Sequence, residues 1–119
     1  MTTRLPAEIG MPLDEVETPA LVIDLDAFER NLRRLPECVS GAGVKMRPHA
    51  KTRKCPVIAL SQMELGAVGV CVQKVSEAQA MVFGGVKDVL VTNEIVGRQK
   101  LQRLLSLAHS ARMDCAPTM

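Results

Sequence analysis

Four basic side chains, Lys45, Arg47, His49 and Lys51, stand at alternate positions, separated by Met46, Pro48 and Ala50. Side chains alternate across an extended backbone, so in a strand all four basic groups would share one face. At the mouth of a barrel such a face strips water from a lysine and favours its neutral amine. A neutral amine placed there is a nucleophile that forms a Schiff base with an aldehyde. The plainer reading is a basic, solvated edge strand continued by Arg53 and Lys54. Spacing alone favours this second reading, because runs of charge usually face water.

Other residues offer less. Gln73 and Asn93 close two apolar runs, at the carboxyl edge where parallel sheets assemble their sites, or else serve only to satisfy loop backbone. Cys71, between valines, reads as a small core residue, and His109 as a surface residue near a helix end. The four cysteines are widely spaced, and with two histidines they make no zinc-site spacing. There is no Tyr or Trp and only two Phe, which excludes a tyrosine acid or base and a base-stacking surface. Fifteen basic against thirteen acidic residues argue against a nucleic-acid binder.

The elements that must position these groups are βα units. At 119 residues, 47% hydrophobic and mean hydropathy +0.12, the chain holds one domain with a packed core. Residues 1–18, with Pro6 and Pro12, read as an arm without an apolar signal segment. No apolar run is long enough for a membrane helix, and a reduced cytoplasmic setting is expected.

Strands are expected over 20–24, 45–51, 68–73 and 88–93. The first helix opens on Asp26 with Glu29 and stops at Pro36; the second runs from Pro56 to about Leu65 before Gly66. Ser76 with Gln79 opens the third, which ends at Gly84 and Gly85. The fourth covers about 97–110, with Leu101, Leu104, Leu105 and Ala108 as its apolar stripe. Residues 111–119 could open a further strand but run too short to be one. Units of this kind give an α/β fold with a parallel sheet, doubly wound or barrel.

Four blocks in this order, ETPALVIDLDAFERNL, RPHAKTRKCP, GVCVQKVSEA and GGVKDVLVTNEIVG, closely resemble the N-terminal part of D-threonine aldolases and D-3-hydroxyaspartate aldolases. These belong to the alanine-racemase-like pyridoxal-phosphate enzymes, which join a (β/α)8 barrel to a C-terminal β domain. The resemblance implies that residues 19–119 form the first part of such a barrel, incomplete, since a whole one needs about 250 residues. It implies that Lys51 carries pyridoxal 5'-phosphate as a Schiff base, with Arg47 and His49 beside the cofactor and Gln73 and Asn93 bordering the pocket. Arg53 departs from the histidine expected in many relatives. The implied reaction splits a β-hydroxy-D-amino acid into glycine and an aldehyde. A divalent metal and a homodimer are expected only in the full-length relative, and little turnover from 119 residues. The resemblance leaves open a D-serine or hydroxyaspartate dehydratase, a racemase relative, a non-catalytic pyridoxal-phosphate carrier, or an inactive product.

Overall fold

The computed structural model describes residues 7–116. After a 3-10 turn at Leu13–Glu15 come α1 (Leu25–Val39), α2 (Pro56–Glu64), β1 (Val70–Val72), α3 (Val75–Phe83), β2 (Asp88–Val91), α4 (Arg98–Ala108) and β3 (Arg112–Cys115). The strands form one parallel sheet in chain order, with Val70 opposite Val89 and Val89 opposite Met113. The expected α/β class is observed, and helices lie between successive strands, as parallel pairing requires.

The sheet has two unlike faces. Val70, Val72, Val89 and Val91 are fully buried and pack with Ala59, Ala78, Met81 and Val82 from α2 and α3. Each such valine contributes about 1.5–3 kcal/mol of transfer free energy. The intervening residues, Cys71, Asp88 and Leu90, are only half-buried on the other face. This face takes the side chains that could do chemistry.

Residues 44–50 run alongside β1 without becoming a regular strand. Cys71 N–H donates to the Pro48 carbonyl (2.8 Å) and Ala50 N–H to the Cys71 carbonyl (2.7 Å), which bridges His49 to Cys71 in parallel. The preceding rung would need a proton on the Pro48 nitrogen, and proline has none. Val68 N–H instead bonds the Met46 carbonyl at 3.0 Å. The strand expected over 45–51 is therefore an extended segment, broken at its proline.

Other expectations need correction. Residues 20–24 form no strand, and Leu21 and Ile23 are exposed, because an apolar run without a neighbouring strand has nothing to pair with. The cap of α1 is Asp24, which accepts from Ala27 N–H at 2.8 Å, rather than Asp26. Pro36 does not stop the helix; it sits in the last turn, where one missing hydrogen bond is tolerated. The cap of α3 is Lys74, with Glu77 three residues on, rather than Ser76 with Gln79. In α4 Leu107 is buried and Leu104 packs on the core, while Leu101 and Leu105 are exposed. Residues 112–115 do form a strand, since the edge of β2 supplies a full set of partners. Residues 1–6 of the expected arm and 117–119 of the tail lie outside the described residues. No helix among the described residues is long and apolar enough to cross a membrane.

Candidate active site

Lys51 begins the turn that follows the 44–50 segment, at the carboxyl end of the sheet. Ala50 before it is buried, and Lys54 N–H closes the turn on the Ala50 carbonyl at 2.9 Å. Lys51 N–H donates to Nδ1 of His49 at 3.2 Å. Nε2 of His49 lies 3.3 Å from the Thr92 hydroxyl, which donates to the Val72 carbonyl at 3.1 Å. A hydroxyl has one proton to give, so Thr92 accepts from His49. These bonds assign the neutral Nε2–H tautomer, with Nδ1 free to accept from Lys51.

Two carboxylates fix the surroundings. Arg47 donates to Asp88 at 2.6 Å, and Arg112 stands 3.9 Å from the other Asp88 oxygen and 3.3 Å from Asp114. The hydrogen bond to Asp88 raises the pKa of Arg47 further above its already high value, against the opposing effect of burial. Gly69 makes the reach possible, because a Cβ there would collide with the Asp88 carbonyl and the Arg47 guanidinium. Arg47 is thus engaged at the first residue of β2, at the opposite end of the sheet from the Lys51 turn.

The second carboxylate is Glu77, 8% exposed. It accepts from Gln73 N–H (2.9 Å) and Lys74 N–H (3.3 Å) and pairs with Lys54 Nζ at 3.4 Å. Burial alone would raise its pKa; the bonds from Gln73, Lys54 and Lys74 together outweigh burial and hold it below the usual carboxylate range.

The expected site residues fall into two groups and a remainder. Lys51 and His49 are joined directly. Gln73 and Asn93 line a cleft of about 330 Å3 between the loops after β1 and β2, with Ser76, Glu94, Lys100 and Arg103, and Lys51 is not among its walls. Arg47 is engaged at Asp88. Lys51 is exposed and enters no ion pair among the described residues, whereas Lys54 is held by Glu77.

Thr92 and Arg53 are further participants. Thr92 continues the alternation of Asp88 and Leu90 on β2, so the period of two placed it on the Cys71 face. Arg53, set aside by sequence reasoning, donates to the His49 carbonyl at 3.2 Å and to the Gln62 side chain, and burial lowers its pKa. Its buried Nε has no partner among the described residues. Cys71 lies on the site face rather than in the core; burial pushes its thiol up, opposed by the Arg47 charge. Among the described residues no three His, Cys, Asp or Glu side chains converge as a metal site.

Residues 23–113 match the model of the alanine racemase N-terminal domain. The chain belongs to that family. Members of the alanine-racemase-like aldolase group generally depend on pyridoxal phosphate. The chain is 50% identical over 109 residues to the D-threonine aldolase of Arthrobacter sp., covering 92% of this chain and 29% of that protein. It is 47% identical to the 3-hydroxy-D-aspartate aldolase of Paracoccus denitrificans, over 87% of this chain and 27% of the relative. The crystal structure of D-threonine aldolase from Filomicrobium marinum superposes with a TM-score of 0.92 at 55% identity, over 98% of this chain and 32% of that one. The racemase-family chain thus spans less than a third of the length of the relatives it matches.

Proposed function

We propose that this chain supplies the lysine-bearing part of a pyridoxal-phosphate-dependent lyase that cleaves β-hydroxy-D-amino acids to glycine and an aldehyde. The observation that carries the reading is Lys51. It is an exposed amine without an ion-pair partner among the described residues, on a turn fixed at both ends, at the carboxyl edge of a parallel sheet. The similarity to D-threonine aldolase and 3-hydroxy-D-aspartate aldolase supplies the substrate class.

The residues present fit the cofactor: Lys51 offers an exposed primary amine that enters no ion pair among the described residues, and the neighbouring Lys54 is committed to a buried carboxylate. When bound, pyridoxal phosphate supplies an electron sink for the electrons left by carbon–carbon cleavage. The chain's residues orient the reacting groups. Lys51 Nζ is the nucleophile toward the cofactor aldehyde. His49, bonded to both the Thr92 hydroxyl and the Lys51 N–H, fixes the direction in which that lysine leaves the backbone. Gln73 and Asn93 line the cleft between the loops after β1 and β2 and offer amides to a carboxylate or hydroxyl. Arg47, on Asp88, holds the near end of the same face in register. Among the described residues no group of His, Cys, Asp or Glu side chains could hold a divalent metal.

The test is borohydride reduction in the presence of pyridoxal phosphate, followed by peptide mapping. Label concentrated on Lys51 and lost in Lys51→Ala is the expected result. Label spread evenly over Lys45, Lys51, Lys54 and Lys74 would overturn the assignment.

A further inference from the structure

Two turns meet at the carboxyl edge: the one that carries Lys51, over residues 51–54, and the one after β1, at Gln73 and Lys74. They are far apart in sequence and share no backbone hydrogen bond with each other. What joins them is one side chain. One oxygen of Glu77 accepts both N–H groups of the second turn, and the other meets the ammonium of Lys54 in the first. Glu77 is buried, so each contact acts in a medium less screening than water. Lys54 also takes a left-handed backbone (φ 48°), which a non-glycine residue adopts only when its surroundings hold it there.

We infer that Glu77 is a positioning residue for Lys51: its carboxylate clamps the lysine turn to the turn bearing Gln73, so that nucleophile and polar wall keep a fixed spacing. The ordinary role of a glutamate at this helical position is to accept the cap N–H, and Glu77 fills it. The contact with Lys54, which lies outside α3, is what exceeds that role. It also separates the two neighbouring lysines: Lys54 is retained by Glu77, and Lys51 is left available. The inference rests on the reading of Lys51 as the cofactor lysine, and its test has one arm independent of that reading.

In the full chain, Glu77→Gln keeps an oxygen for the Gln73 and Lys74 N–H groups but removes the charge that holds Lys54. Amide hydrogen exchange at Lys51 and Lys54 should rise roughly fivefold, the upper range for an ion pair with one exposed member, while Gln73 and Lys74 stay protected. Lys54→Met should reproduce this from the exposed end, and the double variant should add nothing to either single change. With pyridoxal phosphate and borohydride, the ratio of label on Lys51 to label on Lys54 should fall about fivefold in Glu77→Gln by the same measure. Glu77→Asp, keeping the charge, should restore part of it. Unchanged exchange at 51–54 in both Glu77→Gln and Lys54→Met would overturn the inference. If the wild type shows no preference for Lys51, the functional reading fails while the exchange result still decides the clamp. Should Glu77→Gln not fold, Lys54→Met carries the same comparison.

Discussion

The imidazole of His49 accepts a hydrogen bond from the backbone N–H of Lys51, 3.2 Å from Nδ1. The bond is local, two residues long, and it ties the Lys51 backbone to the ring beside it. Only the neutral ring can accept at Nδ1 while donating at Nε2 to Thr92.

Removing that acceptor should therefore weaken the lysine's placement. His49→Ala should lower the yield of reductive labelling at Lys51 about five- to thirteenfold, the worth of one hydrogen bond of about 1–1.5 kcal/mol. His49→Asn, whose side-chain oxygen can accept from a nearby N–H, should recover part of the loss. Peptide mapping of the reduced adducts reads both.

Arg47 and Asp88 form a pair whose side chains are 20% and 17% exposed. Arg47→Ala should destabilise the fold by about 1.5–3 kcal/mol, as for a hydrogen bond to a charged group that leaves its partner behind. Urea unfolding measures it. Arg47→Ala combined with Asp88→Ala should be less destabilising than the sum of the single changes, because the orphaned carboxylate is removed.

Gly69→Ala tests the passage that lets Arg47 cross β1. The added methyl meets backbone and guanidinium at once. A loss of about 1–3 kcal/mol is expected from such overpacking, and it should shrink in an Arg47→Ala background.

The acid limb of stability should carry the signature of Glu77. Its folded pKa lies below the unfolded value, so its contribution is present above the unfolded pKa, about 4.3, and is lost as pH falls through the lower folded value. Glu77→Gln should flatten the pH dependence of unfolding below about pH 5 by that linkage. An unchanged acid limb would show that the carboxylate is unperturbed.

All four cysteines are free, and their reactivity should sort by exposure. Cys38 and Cys115 are exposed, while burial pushes the Cys71 thiol up. At pH 8 a thiol reagent should modify Cys38 and Cys115 first and Cys71 slowest, since the thiolate is the reacting form. Mass spectrometry of a time course checks the order.

Much of this site was legible because its signals are local. The two-residue alternation placed Arg47 and His49 on the face of Asp88 and Thr92, and Pro56 and Gly66 bracketed α2. What the sequence hid was long-range. Nothing near Arg47 announces a partner 41 residues away, and Arg53 finds His49 and Gln62 only after the turn has folded back. The run at 20–24 misled because composition reports burial potential, whereas a strand needs a neighbour. Residues 112–115, too polar to stand out, became a strand because β2 offered one.

The match between strand order and chain order bears on how the molecule is made. Each strand pairs with a partner about twenty residues away in sequence, so loop closure is short and no strand must wait for a distant one. A growing polypeptide can lay each βα unit against the one already in place. Lys51 is synthesised before any residue that fixes it from across the sheet, and its surroundings are completed when β1 and then Thr92 emerge. A nascent chain halted before Thr92 would hold the lysine with its imidazole untethered, and the finished arrangement is an acquisition of the later-synthesised half.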